Sequence, residues 1–234
     1  MAEEVHGVRR ARGYAVAGAR LGAGVVGRSI QTARRNRAMG EAMLRARLGG
    51  GRVTFDIDPT VRFDGPCYFV ALPGTSSQVS IGPRTQIGRD VRINLRGGSV
   101  AIGSGVDVRR LCTMNVEGDL VIGDQVSLSV GVYIHCSERV EMGNMSGAGE
   151  FATIADSNHV RTPEDVPFQS QIRSAPVLVG RNAWIGTKAV VTAGVEIGEM
   201  AFVGANSVVT KSVEPWWLVA GIPARPIRRL EVET

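Results

Sequence analysis

The chain has only three histidines, and histidine is the side chain that most readily exchanges protons near neutral pH. His159 lies in the string TIADSNH, at the start of a polar segment, and an imidazole there can take the proton of an attacking hydroxyl or amine. His135 lies beside Cys136 in a stretch that reads as a strand, which indicates a structural or acceptor-side residue. His6 falls in an arginine-rich N-terminal segment.

A histidine base works best when a carboxylate on its other ring nitrogen fixes the tautomer. Asp156 lies three residues before His159, and Glu150 lies six residues before Asp156. Both occupy the same position in a six-residue repeat, so we expect their side chains to point the same way. Either can orient His159, and either can equally be an ordinary solvent-facing carboxylate. Asp165 is a weaker candidate for this role.

The repeat that must position these residues is sharpest between residues 179 and 214. Aliphatic residues recur there every six positions: Val179, Ile185, Val191, Ile197, Val203 and Val209. This period is neither the 3.6 of a helix nor the alternation of a hairpin strand. It indicates a solenoid of short strands that stack their aliphatic side chains from one coil to the next.

Weaker copies of the repeat extend towards the N-terminus, with successive coils beginning near Ile102, Ile122 and Met142. These coils are about twenty residues long, and we expect the extra residues to bulge at corners. The repeat is absent from 157–176, a polar segment with three prolines, and resumes directly afterwards. This pattern predicts a loop extruded from one corner of the solenoid, not the end of a domain.

Four segments follow from these patterns: a basic helical arm (1–50), irregular capping strands (51–80), the solenoid with its extruded loop (81–214) and a C-terminal cap (215–234). The arm contains ten arginines and three glutamates. It either lies on an anionic membrane surface or a partner enzyme, or covers the open end of the solenoid. Nucleic acid binding is disfavoured because no recognised motif accompanies the arginines.

Five strings make a resemblance to a known family specific: TIADSNH, PFQSQIRSAPVLVG, NAWIGT, VGANSVVTKSV and VAGIPARPIR. They resemble the sugar O-acetyltransferase branch of the hexapeptide-repeat acyltransferases. The resemblance implies a mainly β fold, a left-handed parallel β-helix with about eighteen residues per coil. It also implies a homotrimer whose active sites lie between subunits.

The function implied by this resemblance is direct transfer of an acetyl group from acetyl-CoA to a sugar hydroxyl of a glycan, polysaccharide precursor or glycosylated metabolite. His159 would be the general base. The positions that match the family's coenzyme contacts are Trp184, Thr187, Ala205, Thr210, Lys211, Arg225 and Arg228. Trp184 is almost equally well explained as packing at a corner. Two alternatives stay open: N-acetylation of an amino sugar or sugar nucleotide, and a non-catalytic trimeric scaffold.

The numbers of histidines and cysteines disfavour several other classes of protein. A carbonic anhydrase of the same fold needs three zinc-binding histidines, and only two lie outside the arm, so we expect no metal site. The odd number of cysteines, three, indicates free thiols and a reducing compartment. No signal peptide or membrane-spanning segment is evident, so we expect a cytoplasmic protein whose arm is the one segment that would contact a membrane.

Overall fold

The computed structural model describes residues 25–160 and 171–230, with side chains from residue 29 onwards. The described chain begins with helix α1 (Val25–Leu48) and continues as short strands numbered β1 to β25. Most of these strands belong to three sheets, A, B and C, whose strands are parallel except for the final pair of sheet B.

The chain visits the three sheets in the repeating order A, B, C. Sheet A contains β1 (Arg52–Ile57), β4 (Ser76–Ile81), β7 (Ser99–Ile102), β10 (Asp119–Ile122), β13 (Arg139–Met142), β18 (Val177–Val179) and β21 (Glu196–Ile197). Sheet B contains β2 (Arg62–Phe63), β5 (Gln86–Ile87), β8 (Asp107–Val108), β11 (Ser127–Leu128), β14 (Gly147–Ala148), β19 (Trp184–Ile185) and β22 (Phe202–Val203), followed by β24 (Trp217–Gly221) and β25 (Ala224–Arg229). Sheet C contains β3 (Cys67–Ala71), β6 (Val91–Leu95), β9 (Thr113–Val116), β12 (Tyr133–Cys136), β15 (Thr153–Ala155), β20 (Val190–Val191) and β23 (Val208–Val209). The predicted fold class, a left-handed parallel β-helix, is confirmed.

The aliphatic residues that begin each hexad form the core. The six between Val179 and Val209 are at most 3 % exposed. Parallel strands in register place each of them on its counterpart one coil away: Ile185 pairs with Val203, and Val191 with Val209. Because a strand of two or three residues cannot bury its apolar face alone, this stacking is what makes such short strands stable.

The twenty-residue coils keep the same core register as the eighteen-residue ones. In β7, β10 and β13, equivalent residues are twenty apart, as Ile102, Ile122 and Met142 show. The surplus residues lie between each sheet C strand and the next sheet A strand, which we call the C–A corner. Glycines allow coils to approach there: a Cβ on Gly98 would overlap the carbonyl oxygen of Gly118.

A hairpin leaves the solenoid at the C–A corner between β15 and β18. Its strands, β16 (Ser157–Val160) and β17 (Gln171–Ser174), pair antiparallel, and their junction 161–170 lies outside the described residues. At the base, the N–H of Ala175 donates to the carbonyl oxygen of Asp156 at 2.8 Å. The hairpin therefore occupies the segment in which the sequence repeat is absent.

Helix α1 packs against the first coil of the solenoid. Ala38, Ala42 and Ala46, on one helical face, are buried there. Gln31 accepts a hydrogen bond from the N–H of Phe63 at 2.8 Å, and Arg34 donates to the Phe63 carbonyl oxygen at 2.9 Å. The part of the predicted arm before residue 25 lies outside the described residues. No helix within the described ranges is both long and apolar enough to cross a lipid bilayer.

All three cysteines are free and buried inside the coils. Burial raises the pKa of Cys67 to about 12, that of Cys112 to about 11 and that of Cys136 to about 12. These thiols are therefore neutral core side chains near pH 7, which sets them apart from reactive cysteines.

The stacked core gives a direct stability prediction at Ile122, which is 1 % exposed. We expect Ile122→Ala to lower the free energy of unfolding by about 2–5 kcal/mol, because it leaves a cavity that neighbouring coils cannot fill. The matched control is Val121→Ala on the outward face of the same strand, with an expected loss of about 1 kcal/mol or less. Urea unfolding followed by circular dichroism measures both, and equal losses would contradict the assigned orientation.

Candidate functional site

His159 is exposed on strand β16, in the hairpin that projects from the C–A corner. It pairs across the hairpin with Ile172, which is also exposed. The imidazole thus belongs to a protruding element anchored on the solenoid at Asp156 and Ala175. An exposed base at the edge of a rigid scaffold is accessible to a reacting group from outside the coil.

Asp156 anchors the corner beneath the hairpin. The residue is fully buried, and its carboxylate oxygens accept hydrogen bonds from the backbone N–H groups of Ser137, Glu138 and Arg139 at 2.7–2.8 Å. This geometry corrects the interpretation of Asp156 as a solvent-facing carboxylate. Its oxygens are directed to the backbone of the preceding coil, where they support the hairpin base. Orientation of the His159 ring by Asp156 stays a prediction.

A polar chain of side chains lies just below the hairpin base. The Nε2 atom of His135 is 3.2 Å from the hydroxyl of Ser137, which donates to the hydroxyl of Ser157 at 3.2 Å. Ser137 and Ser157 were not singled out from the sequence. Their separation of twenty residues, one coil of this region, is the signal that would have placed them together. These hydrogen-bonded side chains connect His135 to the hairpin that carries His159.

Glu150 lies at a different corner, between sheets B and C. Its Oε2 atom accepts a hydrogen bond from the hydroxyl of Thr187 at 3.0 Å. Hydrogen bonds from its own backbone N–H and from Thr187, together with the positive charge of Arg109, hold the pKa of Glu150 below its ordinary value. Glu150 is therefore a stable carboxylate, suited to accept hydrogen bonds and not to donate a proton.

The separation of Glu150 from Asp156 corrects the expectation that both point the same way. Successive hexads lie on successive faces of the triangular coil, so one hexad carries the chain from one corner to the next. A six-residue span of extended chain covers about 20 Å. Within one copy of the chain, Glu150 and the hairpin base are thus separated by the width of sheet C.

Two of the predicted coenzyme residues stack on Glu150 at this B–C corner. The N–H of Lys188 donates to the carbonyl oxygen of Glu150 at 2.8 Å, and that of Asn206 donates to the carbonyl oxygen of Thr187 at 2.9 Å. These bonds place Glu150, Thr187 and Ala205 at equivalent positions of successive coils. Phe151, which follows Glu150 and is 54 % exposed, is an apolar neighbour that sequence reasoning missed.

The remaining predicted coenzyme residues are distributed over other surfaces. The Trp184 ring lies on sheet B directly over Gly147, where any Cβ would overlap it. Arg225 and Arg228 are exposed on β25, at the end of sheet B. Thr210 and Lys211 are exposed at the C–A corner, two coils beyond the hairpin base. Cations and backbone groups suitable for a phosphorylated ligand are therefore present, but on more than one corner.

Within 25–160 and 171–230, no group of three or more His, Cys, Asp or Glu side chains is arranged to hold a metal ion. The chemistry that these described residues support is proton transfer by an imidazole, with hydrogen-bond donors and cations on neighbouring surfaces.

The contacts of Asp156 give a prediction that tests whether this carboxylate supports the corner beneath the hairpin. We expect Asp156→Ala to lower the free energy of unfolding by about 2–4 kcal/mol, because three backbone N–H groups lose a charged acceptor. Hydrogen exchange at residues 137–139 should accelerate. The control is Asp124→Ala, which removes an exposed bond to the Ser104 N–H of 2.7 Å and should cost about 1 kcal/mol. Unchanged stability and exchange in Asp156→Ala would refute the supporting role.

A family model, bacterial transferase hexapeptide (six repeats), matches residues 176–211. No curated protein sequence matches the chain.

Solved structures that resemble the chain share its fold. The polysialic acid O-acetyltransferase OatWY has a TM-score of 0.60 at 19 % identity, covering 79 % of this chain and 90 % of that one. AntD, an N-acyltransferase from Bacillus cereus, has a TM-score of 0.54 at 18 % identity, covering 64 % and 84 % in its complex with dTDP and coenzyme A. A further AntD structure, with dTDP-4-amino-4,6-dideoxyglucose and coenzyme A, has the same score and identity. The chain thus carries the transferase hexapeptide repeat and has the β-helix fold of acyltransferases of the hexapeptide type.

Proposed function

We propose that the protein is an acyltransferase that moves an acetyl group from acetyl-CoA to a hydroxyl group of a sugar. The observation that carries this proposal is the exposed His159 on a hairpin that projects from the corner of a hexapeptide β-helix. Structures of this fold include an O-acetyltransferase and an N-acyltransferase solved with coenzyme A. The hairpin gives an acceptor access to the imidazole without opening the core.

The proposed reaction is a direct transfer. The ring of His159 takes the hydroxyl proton while the acceptor oxygen attacks the thioester carbonyl carbon. The tetrahedral intermediate collapses by breaking the carbon–sulfur bond, and the departing thiolate takes the proton back from the imidazolium. The products are an acetyl ester and free coenzyme A, and the histidine returns to its starting state. No covalent acyl-enzyme is required.

The donor is assigned to the surfaces that carry the other predicted residues. Thr187 and Ala205, with their backbone groups, would contact the pantetheine part of acetyl-CoA, and Trp184 lies beside them on sheet B. Lys211, Arg225 and Arg228 supply the cations that phosphate groups require. All three are exposed, so a bound phosphate would replace solvent and not an existing ion pair within the described structure.

A second copy of the chain would complete this site. The hairpin with His159 and the corner with Thr187 lie on different edges of one solenoid, separated by the width of sheet C, about 20 Å. When copies pack side by side, the C–A corner of one can face the B–C corner of the next. Three copies would close such a ring, and each cleft would then combine His159 and Lys211 of one copy with Thr187 and Ala205 of the next. We therefore propose a homotrimer, in which Glu150 acts across the interface or as part of the donor surface.

The acceptor atom is either a hydroxyl oxygen or an amine nitrogen. OatWY is an O-acetyltransferase and AntD an N-acyltransferase, and both share the fold. The hydroxyl acceptor follows from the string around His159, and an amino sugar is the alternative. Release of thiol from acetyl-CoA with sugars and amino sugars, followed by mass spectrometry and alkaline hydrolysis of the product, distinguishes ester from amide. Absence of coenzyme binding by calorimetry would instead indicate a scaffold.

The role of His159 predicts a loss of turnover without a loss of assembly. We expect His159→Ala to reduce kcat by about 10²–10⁴, because the acceptor proton loses its base. The matched control is Asn158→Ala, which alters the preceding exposed residue of β16 and should leave kcat within about threefold. Thiol release measures turnover, and light scattering checks that the oligomer persists. Full activity in His159→Ala would reject the histidine as base.

The cations on β25 predict a defect confined to the donor. We expect the double variant Arg225→Ala/Arg228→Ala to raise KM for acetyl-CoA about tenfold or more, because charge-assisted hydrogen bonds to phosphate are lost. KM for the acceptor should change little. Arg229→Ala, on the same strand and also exposed, is the control. An equal rise in KM in the control would show that only general surface charge attracts the coenzyme.

A further inference from the structure

A polar groove runs along the C–A corner and the adjoining edge of sheet A, over the first four coils. Its volume is about 750 Å³, within the range of ligand sites of about 300–1,000 Å³. The side chains that matter here are those of Arg52, Thr54, Gln78, Ser99 and Asp119. None of these residues belongs to the predicted acetyl-transfer machinery.

The groove offers both donors and acceptors of hydrogen bonds at close spacing. The hydroxyl of Ser99 donates to Oδ1 of Asp119 at 2.6 Å, which leaves the second carboxylate oxygen for a ligand. The Arg52 guanidinium makes no ion pair within the described residues. Bare backbone is exposed between these side chains because Gly97, Gly98 and Gly118 line the floor.

This lining selects among classes of ligand. The lining side chains are small or polar, which disfavours an apolar peptide or lipid chain. The lining contains one arginine, Arg52, and two carboxylates, Glu117 and Asp119, and Glu117 is paired with Arg96 at 3.4 Å, so the groove has no excess of positive charge to hold a polyphosphate such as a coenzyme. A sugar chain, which presents many hydroxyl groups and little net charge, matches the mixture of hydroxyl, amide and carboxylate groups.

The groove leads towards the hairpin that carries His159. Its upper end is formed by Glu117–Asp119, and Asp119 pairs with Arg139 in the next coil. The backbone of 137–139 is in turn fastened to Asp156 at the hairpin base. Two strand spacings, about 10 Å, thus separate the end of the groove from the base of the hairpin.

We infer that the groove binds the non-reacting sugar residues of an oligosaccharide or polysaccharide acceptor, whose acetylated residue lies at the hairpin. This inference rests on the proposed function, and it narrows the acceptor from any sugar to an oligosaccharide or polysaccharide. The groove would hold the neighbouring sugar residues through hydrogen bonds that a monosaccharide cannot make. Binding energy from these remote residues would then improve transfer at the reacting one.

Sheet B carries the same two residue types as the groove in the same two coils, and these residues allow a matched control variant. Arg52 and Gln78 line the groove on sheet A, in the first and second coils. Arg62 and Gln86 lie in the same two coils on sheet B, exposed and paired with each other in register. Arg52→Ala/Gln78→Ala therefore tests the groove, and Arg62→Ala/Gln86→Ala makes the same chemical change outside it.

The acceptors are three series of oligosaccharides, each one to six sugar residues long (size ladders), made of glucose, of N-acetylglucosamine and of sialic acid. Acetyl-CoA is the donor. For the preferred sugar we expect kcat/KM to rise at least about tenfold from one residue to four. The groove variant should lose that rise, because its side-chain hydrogen bonds are gone, and should keep its activity on the monosaccharide. The sheet B variant should behave as wild type. No dependence on length in any acetylated ladder, or equal losses in both variants, would overturn the inference.

Direct binding separates this inference from the proposed function. Calorimetry of His159→Ala protein with the tetrasaccharides needs no turnover, and we expect binding that weakens about tenfold or more in the Arg52→Ala/Gln78→Ala background. Binding without acetylation of any ladder would support the groove and contradict the acetyl transfer. Acetylation of monosaccharides with no tetrasaccharide binding would refute the groove alone. Loss of the oligomer in the groove variant would show that the surface is an interface between copies, which also refutes it.

Discussion

Stacking of equivalent aliphatic side chains from coil to coil is the interaction on which this protein depends. A strand such as Trp184–Ile185 has only one inward side chain, and it is stable only because Ala148 and Val203 lie beneath and above it. That requirement fixes the path of the chain across each face and leaves the corners as the places where residues can be added. The hairpin with His159, the Glu150–Thr187 contact and the polar groove all lie at or beside corners.

Much of the fold was predictable from the sequence because stacking requires an aliphatic residue every six positions. Val179 to Val209 and the earlier leaders near Ile102, Ile122 and Met142 are all buried as the repeat implies. The positions of the carboxylates were not predictable in the same way. Glu150 and Asp156 share a hexad position, but consecutive hexads face different directions. Burial of Asp156 depends on backbone N–H groups 17–19 residues earlier, which the local sequence does not reveal. The groove draws on residues from four coils and so has no contiguous motif.

The arrangement of the candidate site follows from the triangular cross-section. A single solenoid directs its corners away from one another, so residues at two corners of one copy lie far apart. The proposed homotrimer would bring corners of different copies together without deforming any sheet. In the proposed function, the stacked core stays rigid while the hairpin, the exposed arginines and the exposed corner residues contact the substrates.

The glycine-lined C–A corner has an implication for how such a protein diversifies. Coils of twenty residues accommodate their surplus there while the three sheets keep the same register, and the whole hairpin is accommodated at the same edge. This edge is therefore a permissive insertion point. Segments lengthened or replaced along it would change the surface offered to a ligand while the aliphatic stack keeps its register.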